Sequence, residues 1–414
     1  MPPRPARLSL RRARGALAAW RRGARAFLAV EAASSLLLLA GAVAALVVVS
    51  SPWGPGFERL LALELPLHLG GFAFDRPLRF WIDEGLMTLF FLTVGLEIRR
   101  EIAGGELSTV RRAALPFFAA LGGMLAPAGL YLALGSSGPG RAGWGVPMAT
   151  DIAFAVGALG LLGRRVPTAV RVLLLGLAVI DDVGAIVVIA VFYSPGIRWV
   201  GLAVAVAGLA GALALRAAGV RRALAYVPAG AVVWAGLLHA GVHPTLAGVV
   251  LGLATPATPD RSKGEERSPV ERLEARLHPW VAYGILPLFA LANAGVDLRG
   301  VDLHDATARL VSVGVVLGLV VGKPVGVLAA SAVAVRLRLA ARPKGASWRG
   351  VAVVGLAAGI GFTMAIFVAG LAFPGSPLLG AAKLGVLAAS TLAAGLTVLA
   401  GRFLLPHHPA PEKA

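Results

Sequence analysis

Val179-Ile180-Asp181-Asp182-Val183-Gly184-Ala185-Ile186 places two adjacent carboxylates near the middle of the apolar run 168–193, where Arg171 is the only other charge. At the helical rise the pair lies about 15–20 Å from either end of that run. A bilayer core about 30 Å thick needs roughly 20 apolar residues to cross it, so the run has the length of a membrane span and the acids sit at its depth. Ionisable groups there cost about 2.5–3.5 kcal/mol on insertion scales, and each needs a partner, a water-filled cavity or a function.

The rest of the chain repeats the pattern. Of its 414 residues, 57% are apolar and 14% charged, with a mean hydropathy of +0.80, whereas soluble domains carry about 25% charged residues. Lipid is therefore the solvent for most of it. The net charge of +18 would suggest nucleic acid on a soluble protein. Here the basic residues fall in short segments between apolar runs, with no aromatic-interleaved basic face, so they read as topology signals and as contacts with anionic lipids of the cytoplasmic face. The absence of cysteine excludes disulfides, thiolate metal sites and iron–sulfur clusters. Arginines outnumber lysines 34 to 5, which hints at a GC-rich bacterial genome.

Twelve spans are predicted at 27–50, 80–102, 113–134, 144–162, 168–193, 199–217, 223–238, 240–254, 277–298, 308–335, 350–373 and 380–404. Gly241, His243 and Pro244 make the seventh and eighth the softest pair. With the N-terminus inside, thirty Lys and Arg fall on or near the cytoplasmic side and eight on or near the other, and Lys323 alone lies deep within a span. This alternation predicts an all-α polytopic membrane protein with both termini cytoplasmic. Residues 1–26 form a basic arm, 27–404 the twelve-helix domain and 405–414 a cytoplasmic tail. Arg11-Arg12 superficially resembles a twin-arginine signal, but the apolar stretch from Phe27 to Val49 is longer than a signal core. The outer segment 51–79 reads as a turn-rich excursion or small hairpin, and 255–276 as a polar cytoplasmic loop.

Lys323 lies about 20 Å from both interfaces, too deep for its stem to carry the ammonium to the headgroups. A structural salt bridge with the aspartate pair leaves one carboxylate over, since one lysine cannot neutralise two. Asp151 lies about seven residues into its span, within Ala149-Thr150-Asp151-Ile152-Ala153-Phe154. It reads either as a helix N-cap near the interface or as part of an unwound stretch lining a cavity. Thr-x-x-x-Phe recurs at Thr150/Phe154 and Thr363/Phe367, on spans that the charge topology runs in opposite directions.

Adjacent carboxylates in low dielectric resist being ionised together, and their hard oxygens suit a small desolvated cation, so protons and Na⁺ compete for one site. A protein that exposes such a site to one side at a time is an exchanger and needs no nucleotide or other cofactor. Gly318-x-x-x-Gly322-Lys323-Pro324 fails as a phosphate loop, being one spacer short with Pro in place of Ser or Thr. An intramembrane aspartyl protease needs its two acids on separate helices. A passive channel would form a pore ring without proton coupling. A sodium-coupled symporter needs an organic-substrate pocket that no motif here reveals.

Eight strings resemble the NhaA sodium/proton antiporters, in order, over residues 27–400. They are Val94-Gly95-Leu96-Glu97, Ala149–Phe154, Ile180–Ile186, Gly241–Gly248, Leu277–Val281, Leu286–Gly295, Gly322-Lys323-Pro324 and Gly359–Met364. The resemblance implies inverted-topology repeats with two discontinuous crossing helices, 144–162 and 350–373. It implies electrogenic exchange of Na⁺ or Li⁺ for H⁺ in the bacterial inner membrane, by a homodimer. Asp182 would be the main transient ligand of the metal ion and Asp181 its proton-binding neighbour paired with Lys323. Thr150 would line the unwound stretch, and Asp151 and Lys323 would compensate the half-helix ends. A cytoplasmic pH-responsive cluster maps onto Glu97, Arg100, Glu101, Glu274 and His278, with ordinary solvated charges as the alternative. Ala275 stands where well-known members have histidine. His243 would respond to pH or serve as a structural histidine. Asp83 and Glu84, near the outer end of their span, would attract cations or be solvated.

Overall fold

The structure is a computed structural model that describes residues 33–405 apart from 70–71, 106, 135–137, 195, 221, 260–265, 298 and 344. The predicted arm 1–26, residues 406–414 of the predicted tail and the centre of the 255–276 loop lie outside the described residues.

The chain is helical almost throughout. Helix α1 (Ala33–Val49) turns sharply into α2 (Gly54–Leu61), at 116°. A two-stranded antiparallel hairpin follows, β1 (Glu64–Leu69) on β2 (Phe72–Pro77), in register from Glu64 opposite Pro77 to Leu69 opposite Phe72. The predicted excursion 51–79 is thus a short helix and a hairpin. Helix α3 (78–104) carries a π-helical stretch at Trp81–Leu86. Next come α4 (Val110–Ala133), a 3-10 segment (Gly138–Met148) bent by 50° into α5 (Ile152–Gly160), and α6 (Thr168–Phe192). Helices α7 (Trp199–Ala217), α8 (Ala223–Ala240), α9 (Leu246–Ala254) and α10 (269–293) lead to α11 (Ala306–Arg336). Helix α12 (Trp348–Ala358) then bends by 47° into α13 (Phe362–Ala372), and α14 (Leu378–Leu404) closes the described chain.

By length and apolarity, six helices among the described residues can cross a membrane alone, and nine crossings result if each bent pair counts as one. The other three predicted spans are helical but different. Helix α3 is crowded at both ends by Asp83, Glu84, Glu97, Arg99, Arg100 and Glu101. Gly241 adopts φ 78°, a left-handed turn that ends α8, so the predicted span 240–254 shrinks to the nine residues of α9, about 14 Å long. The span expected at 277–298 begins earlier, at Pro269, because Ser268 and Glu271 form a reciprocal capping box at the helix start.

Small residues set the packing, as expected where helices associate without water to drive them. On α4 and α11, Gly122 and Gly326 bring the two backbones so close that a β-carbon on either would strike the other helix. Gly122 lies by Gly326 and Pro127 by Gly322, so these helices run antiparallel. Gly248 lies against Thr88 and Leu92, and Gly252 against Gly95, so α9 runs parallel to α3. By the same test α4 is parallel to α6, through Gly176 on Pro116 and Gly184 on Met124. All three directions match the alternation read from the basic residues.

Candidate functional site

Two helix breaks face each other at the centre of the molecule. Between the 3-10 segment and α5 the chain is extended at Asp151, with φ −90° and ψ 101°. Its amide donates to the Ile360 carbonyl in the second break at 2.7 Å, and the Thr150 hydroxyl donates to the Ala358 carbonyl at 2.9 Å. Backbone freed from both helices is thereby paired, as burial requires.

Asp151 is an N-cap, as one sequence reading held, but a buried one at the break rather than a capping residue at the interface. Its Oδ1 accepts from the Phe154 amide at 3.0 Å. Its Oδ2 accepts from the Thr363 amide at 3.2 Å and from the Thr363 hydroxyl at 2.5 Å. One carboxylate therefore serves the positive N-terminal ends of both α5 and α13. On the opposite sign, Lys323 Nζ donates to the Met148 carbonyl at the end of the 3-10 segment.

Lys323 is fully buried, and its ammonium lies 2.8 Å from Asp181 Oδ2. Asp181 Oδ1, also buried, has no hydrogen-bond partner among the described residues. Asp182 is 3% exposed and receives no hydrogen bond or ion pair among the described residues; Asp181, Glu97, Asp151 and Lys323 act on it through space. Lys323 thus neutralises one acid and leaves its neighbour over. Among the described residues no three His, Cys, Asp or Glu side chains gather as a fixed metal site. This set offers carboxylate oxygens to a passing ion.

The residues mapped to pH response separate into two places. Arg100 is shared by three glutamates, bonding Glu274 closely and approaching Glu101 at 3.4 Å and Glu97 at 3.8 Å. His278 lies within electrostatic reach of Glu274. Burial holds the Glu274 carboxyl above its ordinary range, against the lowering pull of Arg100. These are partly buried paired charges rather than solvated ones. His243 lies apart from them: its Nδ1 meets Glu84 Oε1 at 3.3 Å and its Nε2 the Tyr193 carbonyl at 3.2 Å. A carbonyl only accepts, so Nε2 carries the hydrogen. The expectation of solvated charges at Asp83 and Glu84 also gives way. Glu84 faces His243, and Asp83 accepts from the Asn293 side-chain amide at 2.5 Å.

Residues 25–400 match the sequence model of the family described as Na+/H+ antiporter 1. The chain belongs to this family. Among relatives, the Na(+)/H(+) antiporter NhaA 2 of Sorangium cellulosum is 54% identical, over 92% of this chain and 89% of its own. The Na(+)/H(+) antiporter NhaA of Acidovorax sp. JS42 is 53% identical over 90% of each chain, and the NhaA 2 of Myxococcus xanthus 50% identical over 94% and 90%. Membership of the Na+/H+ antiporter 1 family, together with the apolar helices, makes this a multi-pass membrane protein.

Sequence reading missed Ser390, whose hydroxyl accepts from the Phe362 amide at 3.0 Å, and Thr363 as a partner of Asp151. A signal for Ser390 was present. Lys383, Ser390 and Thr397 follow at intervals of seven on α14, hence on one helical face, and all three are buried. The recurring Thr-x-x-x-Phe does not superpose in role: Phe154 packs on Phe362, whereas Phe367 packs on Phe91 and Phe289.

Proposed function

We propose that this chain is a secondary transporter exchanging intracellular Na⁺ or Li⁺ for external protons by alternating access, in a bacterial inner membrane with both termini cytoplasmic. The observation that carries the reading is the buried Asp181–Lys323 pair beside an unpaired, buried Asp182, held against two facing helix breaks. Asp182 is the main cation ligand. An entering cation draws Asp181 from Lys323 to complete its oxygen shell; when it leaves, one proton returns to Asp182 and one to the Asp181–Lys323 pair, and the bridge re-forms. Cation and protons never occupy the oxygens together, so their competition couples the two flows. A proton on Asp182 and one held by the Asp181–Lys323 pair, traded against one monovalent cation, make the exchange electrogenic, with no cofactor.

Twelve spans in inverted-topology repeats, with the two broken helices crossing at the site, complete the proposed architecture. Asp151 and Thr150 line the break, and Asp151 and Lys323 offset the half-helix ends. Glu97 acts electrostatically on Asp182 and also belongs to the Arg100 cluster, which supports a route from Glu97, Arg100, Glu101, Glu274 and His278 to the ion site for pH control.

The test uses everted membrane vesicles from an antiporter-deficient host, following ΔpH on addition of NaCl, LiCl or KCl between about pH 6.5 and 9. Na⁺ and Li⁺ are expected to dissipate the gradient and K⁺ is not, with Asp182→Asn silent. Folded wild type that answers no cation at any pH rejects antiport and favours the symporter.

A further inference from the structure

The 3-10 segment ends at Met148, whose carbonyl accepts from the Lys323 ammonium, so the place of that segment decides how the lysine divides its hydrogens. At 11 residues it is long for a 3-10 helix, a form in which runs beyond about four are uncommon, and it needs holding from outside. Two tyrosines supply the hold. From α4, Tyr131 donates its hydroxyl to the Gly140 carbonyl at 2.7 Å, near the start of the segment. From the end of α6, Tyr193 does more: its hydroxyl donates to the Ala142 carbonyl at 2.7 Å and accepts from the Gly145 amide at 3.1 Å.

Gly145 lies in the last turn before Met148, and a β-carbon there would press on the Tyr193 hydroxyl and ring. Pro147 rests against Gly318 of α11, the helix that carries Lys323. The tyrosine is itself fixed from two sides. Trp144 stacks on its ring with centroids 6.4 Å apart, and its carbonyl accepts from His243 Nε2 at 3.2 Å.

Lys323 divides its donors between the Met148 carbonyl and Asp181 Oδ2. A carbonyl that drifts away leaves a buried donor to seek another acceptor, and gives Asp181 a larger share of the ammonium. In the exchange reading above, an entering cation must draw Asp181 off that lysine. A tighter pair yields less readily.

We infer that Tyr193 is a positioning residue for cation binding: its hydroxyl fixes the last turn of the 3-10 segment, and through the Met148 carbonyl it keeps the Asp181–Lys323 pair loose enough for a cation to open. The inference rests on the exchange reading and adds to it a residue outside the ion site.

Half-saturating Na⁺ and maximal rate are measured in the same vesicles, normalised to the protein present, for Tyr193→Phe, Gly145→Ala, their double variant and Tyr131→Phe. Tyr193→Phe, which keeps the ring against Trp144, is expected to raise half-saturating Na⁺ about five-fold with maximal rate within about two-fold. Gly145→Ala breaks the same contact from the other side and carries the same expectation, so it serves if Tyr193→Phe fails to accumulate. The double variant is expected to fall short of the product of the two, because both remove one contact. Tyr131→Phe loses the same kind of hydrogen bond farther from Met148 and is expected to stay within about two-fold of wild type in half-saturation. Unchanged half-saturation in Tyr193→Phe and Gly145→Ala, an equal rise in Tyr131→Phe, or a full product in the double variant overturns the inference while wild-type exchange stands. A wild type silent to Na⁺ overturns the exchange reading, and this inference with it.

Discussion

The deep site and the Arg100 cluster at the rim are built from the same parts, several carboxylates around one cation, and come out opposite. At the rim Arg100 spreads its guanidinium over Glu274, Glu101 and Glu97, and the group is 40% exposed. At the centre Lys323 is fully buried and its ammonium, a compact point charge, settles on Asp181 and a backbone carbonyl, leaving Asp182 over. A planar fork can satisfy several acids at once, whereas a single ammonium holds few. The rim thus shares one cation among three acids, while the centre gives its cation to one acid and leaves the buried neighbour without a partner among the described residues.

Exchanging the two roles gives the largest expected effect. Asp182→Asn should lower Na⁺-driven proton movement by at least roughly 100-fold, as expected for loss of a principal charged ligand, whereas Glu101→Gln should retain most of the maximal rate. Equal losses in the vesicle assay would erase the distinction between the regions.

Removing each cation comes next. Lys323→Met leaves Asp181 buried without its partner and is expected to destabilise by roughly 3–5 kcal/mol, read as a drop in the unfolding temperature of purified protein. Arg100→Gln, at a site open to solvent on one side, should cost on the order of 1 kcal/mol or less. A rim variant as damaging as the central one would mean that the rim is the true structural core.

The smallest effect has a sign rather than a size. Because burial raises the folded-state value of Glu274, folding favours its neutral form more than the unfolded chain does. Its contribution to stability is present below the unfolded carboxylate range and is lost as pH rises through the raised folded value. Glu274→Gln removes that loss, so the variant's unfolding temperature relative to wild type should rise as pH climbs above the unfolded carboxylate range, about 4.3. A difference that falls instead would show that pairing with Arg100 outweighs burial.

What the chain alone could reveal was whatever depends on neighbours along it. Apolar runs of lipid length and the burial of Asp181, Asp182 and Lys323 within them follow from spacing, and helices formed where spacing placed them. The left-handed turn at Gly241 and the capping box at Ser268 were also local, yet each moved a boundary: Gly241 shortened α9 and Ser268 started α10 early.

Other features required the folded chain. Asp151 could be read as an interfacial cap or as lining a break, and contact with residues about 210 positions away makes it a cap for two half-helices. Which acid Lys323 chooses, which glutamates share Arg100, and that His243 faces Glu84 rather than the rim are all set by partners on other helices. Ser390 is the extreme case, an unremarkable serine in an apolar helix until packing brings the first amide of α13 to its hydroxyl. A buried polar group must find a partner, but chain spacing says only that it is buried; which partner it finds is decided when the helices pack.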